Sequence, residues 1–277
     1  MIAEFRLIHL FIIHRFCDEL STALHEHREK MIVVCPEIQN TASLEVSSFL
    51  VGSYLVLMQG ETAEAATNSV KNLACSVNLE YSSDFIDGLK ALAHARELSW
   101  LGPDLDECTF DVEMSAHYAK PCNGNIHPLV PGRLLLFPAP EPLPRDQGWI
   151  DVPGMPAERR FSAHYLADLL AELDASVAVF LTECPPGDER ALLARGLDVH
   201  GLRLDPHRPS TLRAMDLLLT LARAAAPGAV AVCAAGGPQL QELAGRLAAA
   251  FLVSNLGFDA AAAAAWLSML CPALLPP

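Results

Sequence analysis

From residue 133 to residue 269, short apolar runs alternate with segments of helical period, and this alternation most constrains the fold. Strands are expected at 133–137, 177–181, 199–204 and 229–233, each short and rich in Val, Ala and Leu. Helices are expected at 161–174, 188–195, 209–223 and 239–256, with a last one reaching Met269. Pro209 and Ser210 open the third helix, Gly257 breaks the fourth, and Asp259 caps the last. Strands that alternate with helices read as an α/β fold with a mostly parallel sheet.

The first half carries a similar, weaker pattern. Helices are expected at 7–28, 43–58, 63–74 and 83–99, with Thr62 capping the third. Between the first two, Ile32-Val33-Val34-Cys35 reads as a short buried strand followed by a loop. Residues 101–130 are rich in Gly, Pro, Asp and Asn and read as a linker. This gives an N-terminal domain at 1–100, the linker at 101–130 and a C-terminal domain at 131–277. A chain of 277 residues suits one large or two small domains. Lysine disappears after Lys120, a composition shift consistent with that division.

Apolar residues make up 52% of the chain and charged ones 19%, which excludes a disordered chain or a long coiled coil. The net charge of −14 argues against duplex nucleic acid or an anionic membrane as a main partner. The first apolar run, at 7–13, contains His9, is too short to span a bilayer and lacks a cleavage site for secretion. The eight cysteines (17, 35, 75, 108, 122, 184, 233 and 271) form no Cys-x-x-Cys pair. Reduced thiols and a cytoplasmic or nuclear location are therefore expected.

An internal repeat links the two halves. A strand ending in cysteine is followed by a loop, a helix, a glycine, a capping residue and an Ala-rich helix. Cysteine and glycine are 25 residues apart in one copy (Cys35 and Gly60) and 24 in the other (Cys233 and Gly257).

In Cys233-Ala234-Ala235-Gly236-Gly237-Pro238-Gln239, a strand-end thiol meets a loop of small residues and a helix N-terminus. Such a helix end lowers a thiol pKa and offers backbone N–H groups to an oxyanion. The competing reading makes Cys233 a buried strand-end packing residue. Gly236-Gly237-Pro238 does not fit a dinucleotide-binding loop, and no phosphate-loop lysine follows.

These segments resemble the Cdc14 family of dual-specificity protein phosphatases. The resemblance lies in VPGRLLLFPAP (130–140), LARGLDVHGLRLDPHRPS (193–210), AVAVCAAGGPQLQE (229–242) and AAAAAWLSMLCP (261–272). In the first half it lies in FCDELSTALHEHREKMIVVC (16–35), SSFLVGSYLVLMQGETAEAA (47–66) and FDVEMSAHY (110–118). It implies a tandem pair of phosphatase-like domains, each a central mostly parallel sheet flanked by helices. It also implies a cysteine nucleophile, an arginine six residues later that grips the phosphoryl oxygens, and an aspartic acid on another loop that protonates the leaving oxygen.

Carried over, Cys233 matches the nucleophile, Asp205 the acid and Gly236 the loop glycine. The arginine position is Gln239, the following hydroxyl position is Leu240, and the preceding histidine is Val232. Pro238 removes one backbone N–H from the phosphate loop 234–240. Three altered side chains and one lost amide lead to the expectation of an inactive relative that binds or scaffolds proteins. The rivals are an active protein phosphatase using Cys233 and Asp205, and a structural subunit of a centrosomal or ciliary assembly. The expected partners are proteins, including phosphoproteins with basic segments, with no cofactor and no metal. His25 and His27, the one tight histidine pair, read as solvated surface. Asp104, Asp106, Glu107, Asp111 and Glu113 read as a solvated linker, or as a receiver of basic segments by resemblance. In the N-terminal loop, Pro36 and Glu37 after Cys35 predict no phosphate binding.

Overall fold

The computed structural model describes residues 6–35, 41–73, 81–104, 107–144, 146–181, 189–202, 210–225, 227–233 and 238–274. The chain forms two compact units. One comprises Met1–Val112 with Leu256–Pro272, the other Glu113–Asn255 with Ala273–Pro277. The C-terminal helix therefore returns to the first unit, whereas the sequence pattern assigned all of 131–277 to one domain.

Among its described residues the first unit is helical. Helix α1 (Leu10–Glu26) buries Leu10, Ile13 and Cys17, one stripe at helical spacing. Helix α2 (Thr41–Leu57) ends near Gly60, whose φ of +77° is the left-handed conformation that glycine adopts without strain. Thr62 then caps α3 (Ala63–Leu73), its Oγ1 accepting from Ala65 N–H at 3.1 Å. Ser82 caps α4 (Ser83–Glu97), which buries Phe85, Leu89, Leu92 and Ala95. A Cβ on Gly88 of α4 would lie 2.5 Å from Leu7 and 2.8 Å from Phe49, so glycine is what lets these elements approach. The last helix of the unit, α10 (Ala260–Leu270), starts at Asp259, whose Oδ1 accepts from Ala261 and Ala262 N–H at 2.9 Å each. It brings Trp266, fully enclosed, against Trp100, Phe110 and Phe258.

The buried strand expected at 32–35 is not formed. Residues 31–35 carry no regular structure, Met31 and Val33 are 88% and 65% exposed, and Cys35 is exposed. A β-branched run becomes a strand only when a neighbour takes its backbone hydrogen bonds, and the described residues of this unit contain no other strand. The two copies of the expected repeat look alike only at their helical corners: Gly60 and Gly257 share φ +77°, and each precedes a capped helix. At the strand it fails, because Cys35 and Cys233 occupy unlike places.

The second unit holds the sheet. Helix α5 (Val112–Tyr118) crosses the unit boundary and is followed by β1 (His127–Val130), so part of the expected linker is ordered into elements. Then come β2 (Leu134–Phe137), β3 (Trp149–Val152), β4 (Met155–Phe161), α6 (Ala163–Glu172), β5 (Ala175–Phe180), α7 (Glu189–Ala194), β6 (Asp198–Gly201), α8 (Ser210–Ala224), β7 (Ala229–Cys233) and α9 (Pro238–Leu256). The five-stranded sheet has the order β1-β2-β7-β5-β6. β2, β7, β5 and β6 pair in parallel and β1 runs antiparallel at the edge. β7 is central and buried at all its positions, as an all-apolar strand covered on both faces must be. Phe137 and Phe180 meet edge to face at 5.6 Å within the core that Leu166 and Leu170 complete.

The strands β3 and β4 form a separate hairpin between the strand expected at 133–137 and the helix expected from 161, where the sequence pattern indicated no element. The mean pattern of prolines and glycines hid it, since Val152 and Met155 are joined by a tight turn with Gly154 at φ +80°. Among the described residues no helix is long and apolar enough to cross a membrane.

Candidate active site at the end of the central strand

The carboxyl ends of parallel strands, with helix N-termini facing them, are where open α/β sheets place ligands. Cys233 is the last residue of β7. It stands in register with Phe137 of β2 on one side and Phe180 of β5 on the other. Its carbonyl accepts from Leu181 N–H at 3.1 Å, which extends the ladder past the end of β5. The chain then passes through 234–237 and enters α9 at Pro238. A 19-residue helix leaving the strand end in this way directs the positive end of its dipole toward the loop.

The side chain of Cys233 is fully enclosed and belongs to the core formed by Phe137, Phe180, Leu166 and their neighbours. The packing alternative of the sequence reading therefore describes its environment. The loop residues Ala234, Ala235, Gly236 and Gly237 lie outside the described residues, and so does Asp205. Pro238, Gln239 and Leu240 form the first turn of α9, with only their backbone described. β6 ends at Gly201, and Leu202 N–H then donates to the Phe180 carbonyl at 2.7 Å, while α8 begins at Ser210. β5 separates β6 from β7, and strands lie about 4.8 Å apart, so the end of β6 is about 10 Å from β7.

The next basic side chain after Cys233, Arg246, sits well inside α9, is exposed and is bonded to Glu242 of the preceding turn. It offers no replacement for an arginine in the first turn.

Other sequence candidates do not converge on this site. His25 is exposed at the end of α1, with Nδ1 3.0 Å from Arg28 Nη2, and His27 is exposed beside it. Among the described residues no group of three His, Cys, Asp or Glu side chains is placed to hold a metal. Of the acidic series, Asp106 lies outside the described residues. Asp104 accepts from the Cys108 thiol through its carbonyl at 3.1 Å. Burial, then the charges of Asp104 and Glu107, push the Cys108 thiol above its ordinary pKa. The cluster thus makes that cysteine less reactive.

Sequence reasoning missed the β3–β4 hairpin. There the Arg159 guanidinium lies 5.0 Å over the Trp149 ring, donates to Asp151 at 2.9 Å and reaches the Cys122 carbonyl at 3.2 Å. The one local signal was the Pro153-Gly154 turn, because 149–161 carries no regular alternation of apolar and polar residues.

No protein-family model matches the chain. Over 154 residues it is 26% identical to the dual specificity protein phosphatase CDC14A of Homo sapiens, covering 50% of this chain and 25% of that protein. The match to the Mus musculus protein is also 26% over 153 residues, with 24% of that protein covered. The chain thus spans about a quarter of the length of the curated relatives it matches. Among solved structures, a chain described as a protein tyrosine phosphatase from Leishmania major aligns with a TM-score of 0.34 and 22% identity. That alignment covers 50% of this chain and 77% of the other. The chain thus shows weak homology, over half its length, to Cdc14-type dual specificity phosphatases.

Proposed function

We propose that the protein is a catalytically silent relative of the Cdc14-type phosphatases that acts by binding other proteins. One observation carries the reading: the cysteine at the end of the central strand is sealed into the core, and the sixth residue after it is Gln239. Thiol attack on a phosphoester needs Sγ in line with phosphorus and a cation that gathers the equatorial oxygens as charge spreads over them. Glutamine offers two neutral N–H donors and no charge, whereas arginine offers a fixed bidentate cation. Removing one neutral transition-state donor costs about 10²–10³ in rate. Removing the charged fork costs at least as much against a doubly negative group. Leu240 supplies no hydroxyl to stabilise the leaving thiolate, and Pro238 supplies no N–H to the anion.

The same geometry supports one rival. The arrangement of strand, cysteine and long helix is what a phosphate-binding loop requires, and a slow cysteine-dependent phosphatase using Cys233 and Asp205 would be built on it. Turnover of a generic aryl phosphate by the purified protein and by Cys233→Ser separates the two. The silent reading expects identical background rates. A native rate that disappears in Cys233→Ser would overturn it and establish the rival. Binding of tungstate at the loop would then show whether a phosphate pocket persists for phosphoprotein recognition.

A further inference from the structure

A cleft of about 400 Å³ in the first unit lies between the two glycine corners of the internal repeat. The turn from Gly60 to Thr62 leads into α3, and the turn from Gly257 to Asp259 leads into α10. Helix α4 contributes Lys90 and His94, and Phe258 with Ala262 supplies an apolar wall.

Most charges around the cleft are already matched. Lys90 Nζ is 3.5 Å from Asp87. His94 holds Glu97 through Nδ1 at 3.1 Å and the Leu256 carbonyl through Nε2 at 2.7 Å. Asp259 caps α10. Among the described residues three charged groups of the lining remain unmatched, the exposed Glu64 and two that are partly withdrawn from solvent, Glu61 and Arg96. Glu61 Oε2 is shut off from solvent and accepts no hydrogen bond. The half-buried Arg96 guanidinium rests against the Cα of Gly60, so close that a Cβ there would lie 2.5 Å from Nη2. It makes no ion pair or side-chain hydrogen bond among the described residues.

A carboxylate oxygen withdrawn from water without a donor is a cost that a bound donor removes. A guanidinium presents a planar fork of donors suited to a carboxylate. Arg96 rests on Gly60 and Glu61 is the next residue, so the two opposite charges border the same cleft without forming an ion pair. A simple anion would meet Glu61 and Glu64. A simple cation would meet Arg96 and the positive ends of α3 and α10. A ligand that carries both charges close together meets neither objection.

We propose that this cleft binds a free amino acid. Its ammonium donates to Glu61, its carboxylate takes the Arg96 fork, and its side chain lies against Phe258 and Ala262. This proposal is independent of the phosphatase-like site.

The test is calorimetric titration of the full chain with leucine, methionine, phenylalanine, glutamate and lysine, alongside isocaproate and isopentylamine as single-charge analogues of leucine. Saturable binding of at least one apolar amino acid is expected. The single-charge analogues should bind about ten-fold or more weakly, the loss expected for one charged hydrogen-bonding partner. Arg96→Gln and Glu61→Gln should each show the same loss, Arg96→Lys a smaller one, and Glu19→Gln on α1 none. Circular dichroism verifies that each variant is folded. The proposal is overturned if none of the five amino acids saturates the wild-type protein. It is equally overturned if Arg96→Gln and Glu61→Gln both bind as wild type, or if isocaproate or isopentylamine binds as tightly as leucine.

Discussion

Replacing Trp266 by alanine tests whether the C-terminal helix is part of the first unit's core. Trp266 has no solvent exposure, and its ring centroid lies 5.2 Å from Trp100, 5.8 Å from Phe110 and 6.5 Å from Phe258. Truncating a fully buried tryptophan costs about 3–5 kcal/mol, from lost transfer energy and the cavity left behind. Against a typical domain stability of about 5–15 kcal/mol this is a large fraction. It corresponds to a fall of about 10–20 °C in the Tm of the first unit. The two tryptophans that remain report on different units: Trp100 is 6% exposed in the first, and Trp149 is 41% exposed in the second. Thermal unfolding followed by tryptophan emission should therefore show the blue component, from Trp100, shifting red at the lowered temperature while the second unit's transition holds. A Tm change below about 3 °C, with Trp100 emission unaltered, would refute the assignment of α10 to this core.

The second half of the chain was legible because its signals are local and redundant. The run 229–233 is apolar at every position and is bounded by Gly228 and by the small residues 234–237, so only a central strand fits it. Asp259 and Thr62 declared their helices because a capping side chain works within three residues of itself. What was not legible depends on partners far away in sequence. Residues 32–35 have the composition of a strand, yet a strand exists only where another lies beside it. The return of 256–272 to the first unit is set by Trp266 finding Trp100, a contact between residues that no local pattern connects. At the candidate site the sequence identified Cys233 and its strand end, and it showed the absent arginine directly. Whether Cys233 faces a pocket or the core is a question of packing against Phe137 and Phe180, and spacing is silent on it. Glu61 and Arg96 drew no attention for the same reason, since neither forms a motif and only the fold brings them to one cleft.

Three further outcomes are expected. Gly88→Ala should destabilise the first unit by about 1–3 kcal/mol through overpacking, measured by urea titration, because its new methyl would lie 2.5 Å from Leu7 and 2.8 Å from Phe49. Burial, aided by the charge of Asp18, pushes the Cys17 thiol up to about 12, above its unfolded value of about 9. The unfolded chain then releases this proton first, so the stabilisation is intact below about pH 9 and is lost as pH rises toward about 12. Cys17→Ala should flatten stability over that interval, and exposed Cys35 should react with a maleimide long before Cys17 does; equal labelling rates would contradict the burial argument. Last, Gln239→Arg should restore little or no phosphatase turnover. The new cation would stand at the first turn of α9, where the dipole already favours an anion, yet it would act beside a thiol enclosed by the core. Pro238 would still withhold its N–H, and Leu240 its hydroxyl. Transition-state stabilisation by a cation appears as rate only if the nucleophile can reach phosphorus, so the arginine alone supplies binding without attack. Anion affinity measured with tungstate should therefore rise in this variant while turnover of an aryl phosphate stays at the Cys233→Ser background. A clear gain in turnover from the single substitution would mean that the missing charge alone silences the site and that Cys233 opens to solvent in the working protein.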